Sequence, residues 1–399
     1  MKLQWLKPLL GRTGPFTTVY LDATRAASAG ESEALDRWRG LRRELEHAGA
    51  PEHILESLGE AVARPTWVSG PHGRVLIADV DGVCVDRVLA ELPARSVAVY
   101  GSVPALLPAA RAADQTVDYL LVEVDRQGAD LLWPGPSGQV GDVDHEVIDG
   151  GHDVVHKLRE GGMSHRRMQT RAEDSWERNA DAVAAELDRV VAAREPELVL
   201  LTGDVRAVAL VRDGVGQRVA ELLVEVPGGS RAQGVKADVF AQRVRGALDL
   251  FRTRRRELVL SRFRQEKGRD KGAVTELGDV IDVLRRGQVR DLVLAEPPLG
   301  QDSPLAHRTV WVGPDPLHLG LERADLEAIG VADDARELPA EVGLVRAALG
   351  QDAGVTFAVD GSVELIDGVG AVLRWTDPGT PSESLLSQSA DRARLREVV

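Results

Sequence analysis

The feature that most limits how this chain can fold is a long series of apolar residues at helical spacing. Met168, Ala172, Trp176, Ala180, Val183, Leu187 and Val191 recur every three or four positions, which lays one apolar stripe along a helix from about 164 to 194. Pro196 stops that helix, and the wholly apolar run Leu198–Leu201 follows, the pattern of a strand covered on both faces. A one-sided helix feeding a two-sided strand has to lie on a sheet. Extended runs at 118–124, 129–133 and 143–148 supply further strands, the first two joined by a turn at Asp125–Gly128, with Pro134–Gly141 a loop and a short helix expected over 153–158. A short helix and a strand over 220–226 close the unit. Hairpin, helix, strand, helix, strand implies a mixed sheet with helices on its faces.

At 399 residues, 43% of them apolar, the chain suits two or three domains with real cores rather than global disorder. In the first stretch a β-branched and aromatic run, 17–21, precedes a helical stretch over 32–63 broken near Gly49-Ala50-Pro51. Strands over 74–80, 83–89 and 96–100 follow, the first two turning at Asp79-Val80-Asp81-Gly82, and then a helix over 104–113. The clearest linker is Pro227-Gly228-Gly229-Ser230. Beyond it Phe240, Val244, Leu248, Phe251, Leu258 and Phe263 form the apolar side of a long helix. A second helix over 274–286 and a strand over 289–294 begin an alternation that runs to 372–375. The expected class is α/β (α+β mixed) in three domains, 1–114, 115–228 and 229–378, with a flexible tail over 379–399.

Charge is unevenly distributed. The chain carries a formal −14, yet Arg243 to Lys271 holds eleven basic and four acidic residues, a local surplus of seven. A basic segment inside an acidic protein suits contact with phosphates at a chosen place. The bland reading is the solvated face of an amphipathic helix bridging two domains. The single cysteine, Cys84, excludes an internal disulfide and fits a reducing, cytoplasmic compartment. Residues 1–11 are too short and interrupted for a signal peptide, and no run approaches a membrane span.

The sharpest local motif is Gly161-Gly162-Met163-Ser164-His165-Arg166-Arg167, with Arg171 a turn further on. Two glycines before a helix let the backbone approach a partner, and free N–H groups at a helix start attract phosphate. A plain inter-element loop explains the same residues. Ser164 beside His165 lacks a third orienting residue for nucleophilic catalysis. Asp213-Gly214-Val215-Gly216-Gln217 reads as a turn, and the Asp79/Asp81 corner needs no metal. Neither a Cys/His cluster nor a Walker loop is present in the sequence, so no cofactor or metal is expected.

The order of a hairpin-led unit, a Gly-Gly loop with serine and basic residues, a long basic helix and strand–helix–strand resembles the middle domain of the archaeal and eukaryotic release factor 1/Pelota superfamily. Thr275–Leu294 (TELGDVIDVLRRGQVRDLVL) and Gly368–Trp375 (GVGAVLRW) resemble that family's C-terminal domain, an L7Ae-like α/β/α sandwich. The first unit is similar to bacterial members, including the Balon-type ribosome hibernation factors. The resemblance implies a monomer that binds ribosomal RNA in the aminoacyl-tRNA site and meets a translational GTPase such as elongation factor Tu. It nominates Gly161, Gly162, Met163, Ser164, His165, Arg166, Arg167 and Arg171, with Arg254, Arg255 and Arg256 from the basic helix, as nucleic-acid contacts. Where a true release factor has glutamine this chain has Met163, whose thioether cannot position water as an amide does. The expectation is a hibernation or protection factor under stress that lacks Gly-Gly-Gln chemistry. The alternative is a peptidyl-tRNA hydrolase or rescue factor with an altered loop, in which Gln169 substitutes.

Overall fold

Strand-forming runs in this chain are buried on alternate sides by different elements, and that alternation organises the computed structural model. It describes all residues except 1–3, 13, 25–29, 67–70, 90–91, 94, 134–143, 150–162, 232–235, 270–271, 297–302, 360 and 382–399.

The first unit follows a short 3-10 turn, Gln4–Leu9. It contains β1 (Phe16–Asp22), α1 (Gly30–His47), α2 (Glu52–Ala63), β2 (Gly73–Asp79), β3 (Gly82–Leu89), β4 (Val97–Gly101) and α3 (Leu107–Gln115). The sheet order is β3-β2-β1-β4, antiparallel throughout, and the hairpin expected at Asp79–Gly82 joins β2 to β3. Val19, Leu21, Leu76 and Ala78 face α1 and α2, meeting Trp38, Leu45, Ile54 and Leu58. Phe16, Tyr20, Val75 and Ile77 point the other way. The helix expected over 104–113 starts three residues later and runs two residues further.

The middle unit comprises β5 (Tyr119–Val124), β6 (Gly128–Trp133), β7 (Asp144–Asp149), α4 (Met163–Arg194), β8 (Leu198–Gly203), α5 (Val205–Gly214), α6 (Gln217–Leu222) and β9 (Leu223–Glu225). Its sheet order is β7-β6-β5-β8-β9, with β5, β8 and β9 parallel. Leu120, Val122, Val199 and Leu201 pack under α4 through Val183, Leu187, Val190 and Val191. Tyr119, Leu121, Leu198 and Leu200 pack on α7 (Ala237–Lys267). Both faces being covered explains the unbroken apolar runs of β5 and β8. Gly203 is required where β8 ends: its φ is +136° and an added Cβ would lie 1.8 Å from the Val124 carbonyl oxygen. The strand expected over 220–226 is helical to Leu222, because Gly216 starts a new turn that buries Val219.

The third unit holds β10 (Ala273–Thr275), α8 (Leu277–Arg285), β11 (Val289–Glu296), β12 (Thr309–Val312), β13 (Leu319–Gly320), α9 (Arg323–Glu327), β14 (Arg336–Pro339), α10 (Ala340–Gly350), β15 (Gly354–Val359) and β16 (Val369–Leu373). Its main sheet, β10-β16-β11-β15, carries α8 and α10 on one face and the second half of α7 on the other, an α/β/α sandwich. A small sheet, β13-β12-β14, sits beside it. The segment expected to begin a helix at Val274 is a strand, since the Thr275 hydroxyl donates to the Val369 carbonyl (2.8 Å) and accepts from Ile366 N–H (2.7 Å). The chain is therefore a mixed α/β protein built on two mixed and two antiparallel sheets.

Two connections depart from a simple string of domains. The outward face of the first sheet joins α8, α10 and β15 in one continuous core, with Phe16, Tyr20, Leu106 and Ala109 on one side and Val280, Leu344, Ala348 and Phe357 on the other. Helix α7, expected to belong wholly to the third unit, is shared: Val244 and Leu248 are buried on the middle sheet, Leu260 and Phe263 on the third. Leu258, expected on its apolar side, is 66% exposed.

Candidate functional site

The motif nominated from sequence sits where α4 begins. Gly161 and Gly162 lie outside the described residues, and Met163, one residue earlier than expected, is the first residue of the helix. Ser164, His165, Arg166, Arg167 and Arg171 follow on its first turns, with side chains outside the described set. The backbone still constrains the site. Asn179 donates to the Arg126 carbonyl in the β5–β6 turn (2.9 Å), which marks the rim of the sheet. From Asn179 to Arg194 the helix covers about 24 Å at 1.5 Å per residue, matching strands of six residues at about 20 Å. The turns bearing Met163–Arg171 therefore run past the rim, beyond the sheet that supports the rest of α4.

Trp176 braces that exit. It was expected within the buried stripe, but it is half-buried between two guanidiniums, Arg126 at 4.3 Å and Arg206 at 5.2 Å from its ring centre. Arg126 also pairs with Asp204 at 3.4 Å, and Asp204 caps α5 by accepting from the N–H groups of Arg206 (3.0 Å) and Ala207 (3.3 Å). The rim of the sheet, the start of α5 and the root of the protruding helix are thus stacked on one indole. Its Nε1–H is enclosed and has no hydrogen-bond partner among the described residues.

The basic helix divides. Arg255 donates to Glu197 (3.0 Å), to the Thr116 carbonyl (3.3 Å) and to the Asp114 carbonyl, and Arg256 donates to the Asp114 carboxylate (3.1 Å). Glu197 also accepts from Asp118 N–H (3.1 Å). These two arginines fasten the crossing from α3 to β5 against the middle of α7. Arg254 points to solvent between the exposed side chains of Leu250 and Leu258. Other charges of the cluster are also engaged within the protein: Arg243 with the Pro227 carbonyl (2.8 Å), Arg252 with Asp249 (2.9 Å), and Arg264 with the Ser362 carbonyl (2.9 Å) and Glu257.

The segment expected to be a linker is tied down, and sequence reasoning missed how. Gly229 N–H donates to Thr202 (3.0 Å), and Arg231 pairs with Asp125 (2.8 Å) and Asp130 (3.0 Å). Near this clamp burial, reinforced by Asp130, raises the Glu123 carboxyl above its ordinary range. Asp213–Gln217 is the turn between α5 and α6. Asp79 is matched by Arg12. Among the described residues no group of three His, Cys, Asp or Glu side chains is placed to hold a metal, and no helix is long and apolar enough to cross a membrane.

The class these features define is a four-sheet α/β protein whose middle unit projects a long helix from a mixed sheet. Residues 118–269, the middle unit together with α7, match the model of the bacterial archaeo-eukaryotic release factor family 2. Over those residues the chain is similar to the bacterial members of the archaeo-eukaryotic release factor group. The uncharacterized protein Rv2629 of Mycobacterium tuberculosis strain H37Rv is 29% identical over 381 residues, 94% of this chain and 97% of its own. Among solved structures, Dom34 of S. cerevisiae, a translation termination-like factor that interacts with Hbs1, covers 78% of this chain and 81% of its own at 8% identity and a TM-score of 0.37. A ribosome-bound archaeal Pelota covers 93% of each chain at 12% identity and the same TM-score.

Proposed function

We propose that the protein is a noncatalytic ribosome-binding factor that occupies the aminoacyl-tRNA site and protects idle ribosomes under stress. The observation that carries this reading is the family match over 118–269, which spans the Gly-Gly loop and the long helix; in that reading Met163, which follows Gly161-Gly162, stands where the resemblance places the family's glutamine. In this reading Gly161–Arg171 points toward the peptidyl-transferase centre. A helix start bearing Arg166, Arg167 and Arg171, carried past its sheet, suits close approach to RNA phosphates. The first unit lies near the decoding centre, and the third meets a translational GTPase, in bacteria elongation factor Tu. Arg254, solvent-facing on α7, adds a phosphate contact.

The test is co-sedimentation with 70S ribosomes across a salt series, together with a peptide-release assay on stalled complexes. Binding should weaken steeply with salt, fall at least tenfold in the Arg166→Glu/Arg167→Glu variant, and occur without release. Failure to co-sediment at low salt would overturn ribosome binding. Release abolished by Gly162→Ala or Gln169→Ala would replace the protection role with the hydrolase reading.

A further inference from the structure

Where the first and third units share their core, the seam is not filled. A cavity of about 460 Å³ opens between β3, β4 and α3 on one side and β11 and β15 on the other. Small-molecule sites have this size and favour domain interfaces. Its walls are largely apolar, with the rings of Tyr20 and Phe357 and the side chains of Leu89 and Leu107. The Tyr20 hydroxyl is already engaged, donating to the Ala105 carbonyl (2.7 Å) and accepting from Ala109 N–H (3.2 Å), so only its ring is offered.

Among the described residues the charged members of the wall are Arg95, Arg111 and Glu296. Arg111 is the informative one. Its guanidinium stands 5.3 Å from the centre of the Phe357 ring, and its Nε–H is enclosed without a hydrogen-bond partner among the described residues. No carboxylate among the described residues pairs with it. An enclosed arginine donor is ordinarily satisfied by an anion or a carbonyl. An apolar chamber beside a guanidinium that no carboxylate among the described residues neutralises is complementary to a ligand with an apolar body and a negative head.

We propose that this seam is a binding site for a small amphipathic anion, held by its apolar body against Leu89, Leu107 and Phe357 and by its head on Arg111. The ligand would bridge the first and third units, so its occupancy would stiffen their shared core.

Calorimetric titration of the full-length protein with decanoate, and with decyltrimethylammonium as the chain-matched cation, tests this. Decanoate should bind saturably at one per chain and at least tenfold tighter than the cation. Arg111→Gln should erase that preference, Arg111→Lys should retain it, and Leu107→Trp, which fills the chamber, should remove binding. Circular dichroism confirms that each variant is folded. Should Arg111→Gln unfold, the lysine and tryptophan variants decide. The proposal is overturned by an absence of saturable decanoate binding, by equal affinity for the cation, by a preference that survives Arg111→Gln, or by binding that survives Leu107→Trp.

Discussion

At the scale of the residue, Trp176 shows how one side chain can serve two neighbours. Helical spacing assigns it to the buried stripe of α4, and the same positions at Ala180, Val183, Leu187 and Val191 are indeed buried. The indole instead sits at the edge of the sheet, flanked by Arg126 and Arg206. Its removal loses two cation–π contacts and part of an apolar face rather than a full core side chain. Trp176→Ala should therefore destabilise the protein by about 2 kcal/mol, below the 3–5 kcal/mol of a fully buried tryptophan. Denaturant titration measures that loss. A double-mutant cycle with Arg126→Ala should return a coupling of about 0.5–1 kcal/mol, whereas additive losses would show that the stack contributes nothing.

At the scale of the element, α7 carries the larger lesson. A helix of this length looks from sequence like one amphipathic rod with one apolar side. In the fold it serves two sheets in succession, and the buried face changes along it. Phe263 is 1% exposed against Val293, Ala358 and Val372, whereas Leu258 is 66% exposed. Phe263→Ala should cost about 3–5 kcal/mol, while Leu258→Ala should stay within about 0.5 kcal/mol. Equal losses in thermal or chemical denaturation would show that the face assignment is wrong. The basic residues separate in the same way: Arg255 and Arg256 lie where the helix passes from one sheet to the next, facing Asp114 and Glu197, and Arg254 faces water. Residue type alone does not distinguish adjacent arginines a third of a turn apart.

At the scale of the whole molecule, the first and third units are not independent beads. Phe16, Tyr20, Leu106 and Ala109 complete the packing around α10 and β15, and Arg336 of the third unit donates to the Ser102 carbonyl of the first (3.4 Å). Deleting residues 1–114 would uncover Phe357 and neighbouring apolar side chains, and exposed apolar patches of that kind promote association. The truncated chain should aggregate or lose cooperative unfolding, as read by size-exclusion chromatography and calorimetry. A monomeric fragment that unfolds in one sharp transition would show that the seam contributes little.

The sequence by itself determined the α/β class, most element positions within a few residues, and the long helix α4. Those features depend on local periodicity, turn chemistry and breakers such as Pro196, which act within a few residues along the chain. Tertiary structure alone decided which residues of α7 are buried, that Arg255 and Arg256 fasten a crossing, and that Trp176 stacks between guanidiniums. It also decided that the first and third units enclose a chamber beside Arg111. Each of these depends on partners far away in sequence, such as Asp114 against Arg256 or Phe357 against Arg111. The same apolar or charged residue becomes core, brace or surface only once those partners are in place.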